Sequence, residues 1–255
     1  MTMPNGANPP TIRRLTSDQA SGWLAAGWRD MARNPGLSLG FGAVFAVIGL
    51  VMAYGLEREG LGSLLLPACA GFVLIGPLSA VFFYEISRRN EMGEPVSLSL
   101  VVSSVLARFG QIAQLGMVLV LFMMAWLLSG LVIFAMFFQG APPPLENFVM
   151  DILFGSGSRI FLVVGMVVGG LLAAIAFSIS VFAMPMLLDR DVGAFTAMVY
   201  SVRAVRLNQA SMIGWGATIA IITFFGMGFA FVGLVVSLPL VAHASWHAYR
   251  DVSRG

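Results

Sequence analysis

The chain has 255 residues, 58% hydrophobic and 10% charged, where a soluble domain carries about 25% charged. That balance excludes an ordinary globular core inside a polar shell, and a formal net charge of +2 excludes the strongly basic surface of a nucleic-acid-binding protein. All fourteen basic residues are Arg, a usage that fits a GC-rich bacterial genome.

Met1 to Pro10 are polar and turn-rich and contain no apolar core of a cleaved signal peptide, and residues 1–16 as a whole carry no span. They are expected to form a flexible cytoplasmic tail ahead of one membrane domain, 17–255. Leu24, Trp28 and Met31 then recur at helical spacing beside Trp23 and Gly27, with Asp18, Arg29, Asp30 and Arg33 off the stripe and a capping-box-like Thr16/Gln19 before it. This helix is too polar to span a bilayer and suits the interface plane.

Six spans follow, near Leu37–Leu56, Ser63–Ile86, Ile112–Phe138, Ile160–Leu188, Ser211–Met227 and Phe229–Tyr249. The last two divide one stretch, Ser211 to Tyr249, that holds no charged residue. As a single helix it would reach about 58 Å at 1.5 Å per residue, twice the hydrocarbon core, so it must turn back, and Gly226-Met-Gly228 is the natural place.

Two further interfacial helices precede spans three and five. Their apolar stripes are Leu98, Val101, Val102, Val105 and Phe109, and Phe195, Met198, Val199, Val202 and Val205. The three units share an Arg junction at Arg33, Arg108 and Arg206, and one proline in the second helix of each hairpin, at Pro77, Pro185 and Pro239. The expected fold is therefore all-α and polytopic, with six transmembrane helices, three cytoplasmic in-plane helices and a pseudo-threefold repeat of helix plus hairpin. Between spans three and four, Pro142–Pro144 and an apolar stripe of Leu145, Phe148, Val149, Ile152 and Leu153 ending at Gly155–Gly157 form an expected outer cap.

Twelve arginines fall on one side of these spans: Arg13, Arg14, Arg29, Arg33, Arg88, Arg89, Arg108, Arg190, Arg203, Arg206, Arg250 and Arg254. Only Arg58 and Arg159 fall on the other. By the positive-inside rule both termini are cytoplasmic and the membrane is a bacterial inner membrane.

Chemistry is sparse. His243 and His247, the only histidines, lie at i and i+4 on the last span. That spacing suits metal ligation from a helix, yet a closed site wants four ligands and the chain offers no credible third. Trp246 and Tyr249 flank the pair, so both imidazoles are taken as structural or interfacial, in an aromatic belt. Their joint replacement by Gln is expected to leave folding nearly intact. Glu85 stands one turn before Arg88 and Arg89, which points to an interfacial ion pair. Ser79, Ser129, Ser178, Ser180, Thr218, Thr223 and Ser237 have no base at a nucleophile's spacing and are expected to bond within the helices. Gly36/Gly40 and Gly165/Gly169 match the helix-packing pattern GxxxG. Cys69 excludes an internal disulfide. No catalytic, cofactor-binding or metal residue is expected, and no cofactor.

The stretches Gly71-Phe-Val-Leu-Ile-Gly76-Pro77 with Tyr84-Glu85-Ile-Ser-Arg88-Arg89, and Pro239-Leu with His243-Ala-Ser-Trp246-His247-Ala-Tyr249-Arg250-Asp251, resemble a family of uncharacterised bacterial integral membrane proteins. Some members carry the label "cytochrome c oxidase subunit I-like". The resemblance implies an architecture and no site. A haem–copper core needs three axial His for its haems and three more for copper; two histidines and six spans cannot supply it. The expected function is that of a non-catalytic inner-membrane protein, an accessory or assembly factor of a respiratory membrane complex. Its expected partners are membrane lipids and other membrane proteins, with no nucleic acid. The alternative is a transporter or channel for a small or lipidic solute, with an intramembrane enzyme third.

Overall fold

A computed structural model describes residues 9–16, 19–62, 65–137 and 158–254. The expected outer cap, 142–157, lies outside them. Among the described residues the regular structure is helical and contains no strand. The helices are α1 (Gln19–Arg33), α2 (Pro35–Arg58), α3 (Leu65–Ser79), α4 (Val81–Met92), α5 (Leu98–Ala107), α6 (Phe109–Phe137), α7 (Ser158–Ser180), α8 (Ala183–Asp189), α9 (Ala194–Leu207), α10 (Gln209–Gly228) and α11 (Leu234–Ser253).

Among the described residues, four helical segments are long and apolar enough to cross a membrane: α2, α6, α10 and the combined Ile160–Asp189. The other two expected spans differ for stated reasons. Ser63–Ile86 is divided at Ala80 into α3 and α4, of 15 and 12 residues, where a crossing helix needs about 20. Phe229–Tyr249 begins as a turn and becomes helical only at Leu234, and α11 carries the polar series from His243 to Asp251. The chain turns just past the expected glycines: Gly226-Met-Gly228 is the last turn of α10, and residues 229–233 make the reversal. Beyond Gly228, Ala230 and Phe231 take left-handed backbone, with φ of 50° and 62°. A Cβ on Gly233 would come within 2.8 Å of the Gly226 Cα, so the α10–α11 hairpin closes only because both positions lack side chains.

α1, α5 and α9 stand directly before α2, α6 and α10, one residue apart at Asn34, Arg108 and Asn208. Pro35 starts α2 where its missing N–H costs nothing, and the Ser97 side chain accepts from Leu100 N–H to cap α5. The faces these helices bury are not all the apolar stripes. α9 packs Ala194, Ala197, Ser201 and Ala204 inward and leaves Phe195 76% exposed. α1 buries Trp23, Gly27, Asp30 and Met31 while Trp28 faces outward. Small residues let these helices sit close to the bundle, Trp23, Met31 and Tyr200 anchor them in it, and Trp28 and Phe195 face the surroundings.

α11 is the centre of the bundle. Fourteen of its residues are buried, from Leu234 to Ser253, and α1, α2, α4 and α10 pack around it. Two glycines set the closest crossings. A Cβ on Gly27 would meet Ala244 N at 2.6 Å and Leu240 O at 2.9 Å, and one on Gly42 would strike the Val235 carbonyl. The GxxxG pairs mark different ground: Gly36, Gly40 and Gly165 face open space, and the Trp126 ring covers Gly169. The end of the N-terminal segment is tied to this centre. Arg13 N–H donates to Val252 O, Leu15 N–H to Asn208 Oδ1, and Asn208 Nδ2 to Arg13 O.

The break between α7 and α8 has a specific splint. Pro185 cannot sit in an uninterrupted ladder, because its ring clashes with the carbonyl four residues back. Phe182 N–H turns instead to Ser201 Oγ at 3.1 Å, and that hydroxyl donates to Ser178 O at 2.8 Å. One serine on α9 thus replaces a backbone bond of another helix. Ser201→Ala is expected to strand both backbone groups in a buried site and lower stability by about 2 kcal/mol. Thermal unfolding in detergent checks this, with Ser103→Ala, at an exposed hydroxyl, as the silent control.

Candidate functional site

Polar and charged side chains gather in one layer, where the N-terminal ends of α2, α6 and α10 meet α4 and the C-terminal ends of α8 and α11. Its heart is His243, which is 0% exposed. Nε2 lies 3.0 Å from Ser38 Oγ and Nδ1 lies 2.7 Å from Ser87 Oγ. A neutral imidazole meets this arrangement with one N–H and one lone pair, each matched to a hydroxyl that can serve either role. The Phe83 ring packs edge-on against it at 5.5 Å. Three helices are thereby joined through one side chain.

His247 belongs to a second group. Its Nε2 is 2.8 Å from Asp30 Oδ2, and Asn90 Nδ2 donates to Asp30 Oδ1 at 3.1 Å. Asn34 Nδ2 in turn donates to Asn90 Oδ1. Burial pushes the Asp30 carboxyl up, but hydrogen bonds with His247 and Ser87 outweigh it and hold the carboxyl below its ordinary 3.8. A carboxyl depressed on folding contributes stability that is fully present above its unfolded value and lost as pH falls through the folded one. The melting temperature should therefore drop on acidification below about pH 4, and Asp30→Asn should flatten that slope. An unchanged slope in the variant would assign the acid sensitivity elsewhere.

The other carboxylates of this layer have partners. Glu85, 1% exposed, accepts from Arg88 at 2.7 Å and Arg89 at 2.8 Å, and Arg89 also reaches Pro95 O and Ser104 Oγ. This is the ion pair expected at Glu85, but buried. Glu91 accepts from Trp246 Nε1, Arg250 and Arg254, and these bonds overcome burial to hold its carboxyl low. Asp189 accepts from Tyr249 Oη and Arg250, Asp251 from Trp23 Nε1, and Asp191 from Arg108. Trp246 and Tyr249 are both 0% exposed. They are core residues that join helices, and not an aromatic belt facing lipid.

The structure also separates the two histidines. His243 faces two serines and His247 an aspartate, so their i, i+4 spacing does not converge on one point. Among the described residues no group of three or more His, Cys, Asp or Glu is placed to hold a metal ion. Ser38 and Ser87 touch the imidazole as an activated nucleophile would, but both are 0% exposed. Their hydrogen bonds to the imidazole tie α2 and α4 to α11.

The second feature is a cavity of about 410 Å³ between α3, α7, α10 and α11. Phe72, Gly76, Pro77, Phe177, Met212 and Leu238 supply apolar wall, and Ile213, 73% exposed, stands on its rim. Its serines are spent on their own helices: Ser178, Ser180 and Ser245 donate to Ala174, Ala176 and Val241 carbonyls at 2.6 to 2.8 Å. Ser79 and Thr218 likewise turn back, onto Gly76 and Gly214. What the cavity offers a ligand is hydrocarbon surface.

One comparison bears on the bundle so described. Residues 65–189 match the family described as predicted integral membrane protein (DUF2189). The match runs from α3 to the end of α8 and takes in Gly71 to Arg89, one of the two stretches that carry the family resemblance. The protein is an integral membrane protein with several membrane-spanning helices. No curated protein and no solved structure matches the chain. Within the matched segment lie Ser87, Glu85 and the α7–α8 break. His243 and its partner Ser38 lie outside it.

Asp30, Ser38, Ser87 and Glu91 were not singled out from sequence. Asp30 looked like the solvated face of an amphipathic helix. Ser38 and Ser87 are short hydroxyls in helical runs, and their partner is 205 and 156 residues away. No local pattern reports such a distance.

Proposed function

We propose that the protein is a non-catalytic component of a bacterial inner membrane that binds other constituents of that membrane. The observation that supports this best is the segregation of its chemistry. The ion pairs described above form one layer at helix ends and are mutually satisfied, while Ser79, Ser178, Ser180, Thr218 and Ser245 bond to their own backbones. Ser237, against the expectation from sequence, is buried without a hydrogen-bond partner among the described residues. Such an interior gives an ion or polar solute no continuous path and a reacting bond no exposed base.

In this reading the chain crosses six times. α3 and α4 act as one kinked path, since Ala80 N–H bonds Gly76 O and Tyr84 N–H bonds Ala80 O across the break. α10 and α11 form the last hairpin. The polar layer and the twelve arginines face the cytoplasm with both termini, and α1, α5 and α9 lie along the interface as three related units. A respiratory membrane complex is the partner class proposed, as an accessory or assembly role without chemistry of its own. The broad apolar exposure of α2 and α6, for example Val51 at 65% and Met117 at 68%, leaves surface for lipid and for such neighbours.

The test is purified protein in sealed liposomes loaded with a pH-sensitive dye or with labelled sugars and amino acids. No flux above empty liposomes is expected. Protein-dependent movement of any of these solutes would overturn the reading. Reporter fusions in the 93–97 connection and after Gly255 should both report cytoplasm, and an external signal from either would overturn the topology. A carrier for a lipidic solute is the second reading, favoured by the apolar cavity, and lipid scrambling in the same liposomes would establish it.

A further inference from the structure

We infer that the cavity between α3, α7, α10 and α11 is a lipid site that takes one acyl chain of an anionic phospholipid, with Arg206 receiving the phosphate. The inference rests on the membrane-embedded reading above but does not depend on the absence of transport. Three observations carry it. The cavity has apolar walls and back-bonded serines, so water filling it would lose hydrogen bonds it cannot replace. It falls within the size of small-ligand sites, about 300–1,000 Å³. Its rim includes exposed residues of α10, such as Ile213, on a helix that crosses the membrane. The phase that meets this rim is acyl chain.

The headgroup assignment comes from charge. Val205 and Gln209 line the cavity at the α9–α10 junction, and Arg206 lies between them in sequence. Arg206 is exposed and has no ion-pair partner among the described residues, and the same holds for Arg203 one turn earlier. Elsewhere in this layer the cations of Arg88, Arg89, Arg108 and Arg250 are met by carboxylates. Arg203 lines a separate hollow with Pro9 to Ile12 and Phe195, which leaves the Arg206 guanidinium, unneutralised and on the turn between two lining residues, to meet the phosphate of an anionic phospholipid by a two-pronged hydrogen bond.

The experiment places the full chain in nanodiscs of phosphatidylcholine with a minor share of phosphatidylglycerol, releases it in mild detergent and reads bound lipid by native mass spectrometry. One phosphatidylglycerol per chain is expected. Gly216→Leu fills the space from α10; the new Cβ meets only the Phe177 ring, at 3.7 Å or more. Ala173→Leu fills it from α7. Each is expected to cut occupancy about tenfold, equivalent to losing roughly 1.4 kcal/mol of binding. Each should also remove the rise in melting temperature that added phosphatidylglycerol gives the parent chain. If one variant fails to fold, the other carries the test. Arg206→Gln should keep a lipid but lose its preference for phosphatidylglycerol over phosphatidylcholine. Wild-type protein without bound lipid overturns the site, as does lipid retained equally by both filled variants. A second copy of the chain in place of lipid would also overturn it. Indifference of the headgroup preference to Arg206→Gln overturns the phosphate assignment. Solute flux in the liposome assay with lipid binding intact would overturn the proposed function and leave this site standing.

Discussion

Gly42→Leu is expected to unfold the bundle or leave it separable in mild detergent, at a cost of 3 kcal/mol or more by about the upper range for overpacking. The obstacle is backbone: a side chain at 42 must displace the Val235 carbonyl, and α2 cannot give way without losing its seat on α11. A flexible neighbour could rotate aside, whereas a helix carbonyl cannot. Gly27→Leu should do the same at the α1–α11 crossing, against Ala244 N and Leu240 O. Gly36→Ala and Gly40→Ala are the matched controls, because nothing lies within 4 Å of either Cβ. They should be neutral or slightly stabilising, since Ala exceeds Gly in helix propensity by about 1 kcal/mol. Chemical unfolding in detergent ranks the four. Equal losses at all four positions would mean that glycine matters here for helix flexibility and not for contact.

His243→Leu should rank with these, lowering stability by about 4 kcal/mol. Two buried hydroxyls, Ser38 and Ser87, would lose their partner together, and an unsatisfied buried polar group costs about 1–3 kcal/mol. His243→Gln keeps a donor and an acceptor and should recover part of the loss. The triple variant with Ser38→Ala and Ser87→Ala should recover more than the sum of its parts predicts, because the three side chains act as a unit. Thermal unfolding with a double-mutant cycle measures that coupling. A near-silent His243→Leu would show that the imidazole contributes no cohesion. His247, with a side chain 26% exposed, keeps the smaller effect expected of an interfacial histidine.

These two sites also mark where the sequence was readable. α2, α6 and α10 declare themselves by uncharged runs, since length and hydropathy alone decide what can cross hydrocarbon. Three shorter helices do stand before them, but the apolar period misplaced their buried faces at Trp28 and Phe195, which point outward. What escaped were facts of tertiary partnership. Trp246 and Tyr249 beside two histidines look like side chains at a membrane surface, and only the arrival of Glu91 and Asp189 from other helices makes them core. Ser201 is one serine among many until Pro185 leaves a gap for it to fill. GxxxG spacing selected Gly36 and Gly40, while the contacts fall at Gly27 and Gly42, because the crossing point is set by α11 and not by spacing within α2. The division of Ser63–Ile86 at Ala80 was hidden as well, since its residues are apolar on both sides of the break.

The central place of α11 has a consequence for how the chain is made. Synthesis runs from the N-terminus, so α1, α2 and α4 exist well before α11 emerges. Through that interval Asp30 lacks His247, Ser38 and Ser87 lack His243, and Glu91 lacks Arg250 and Arg254. Helices holding such groups are poor candidates for early consolidation, because the contacts that would bind them to one another run through a segment not yet made. α1, α2 and α4 are therefore the loose part of the nascent bundle, beside α3, α6 and α7 that already pack on one another, and arrival of α11 joins the two in one late step. A ribosome stalled before residue 234 should display an assembly that proteases cut in the connections and that insertase or chaperone partners still hold.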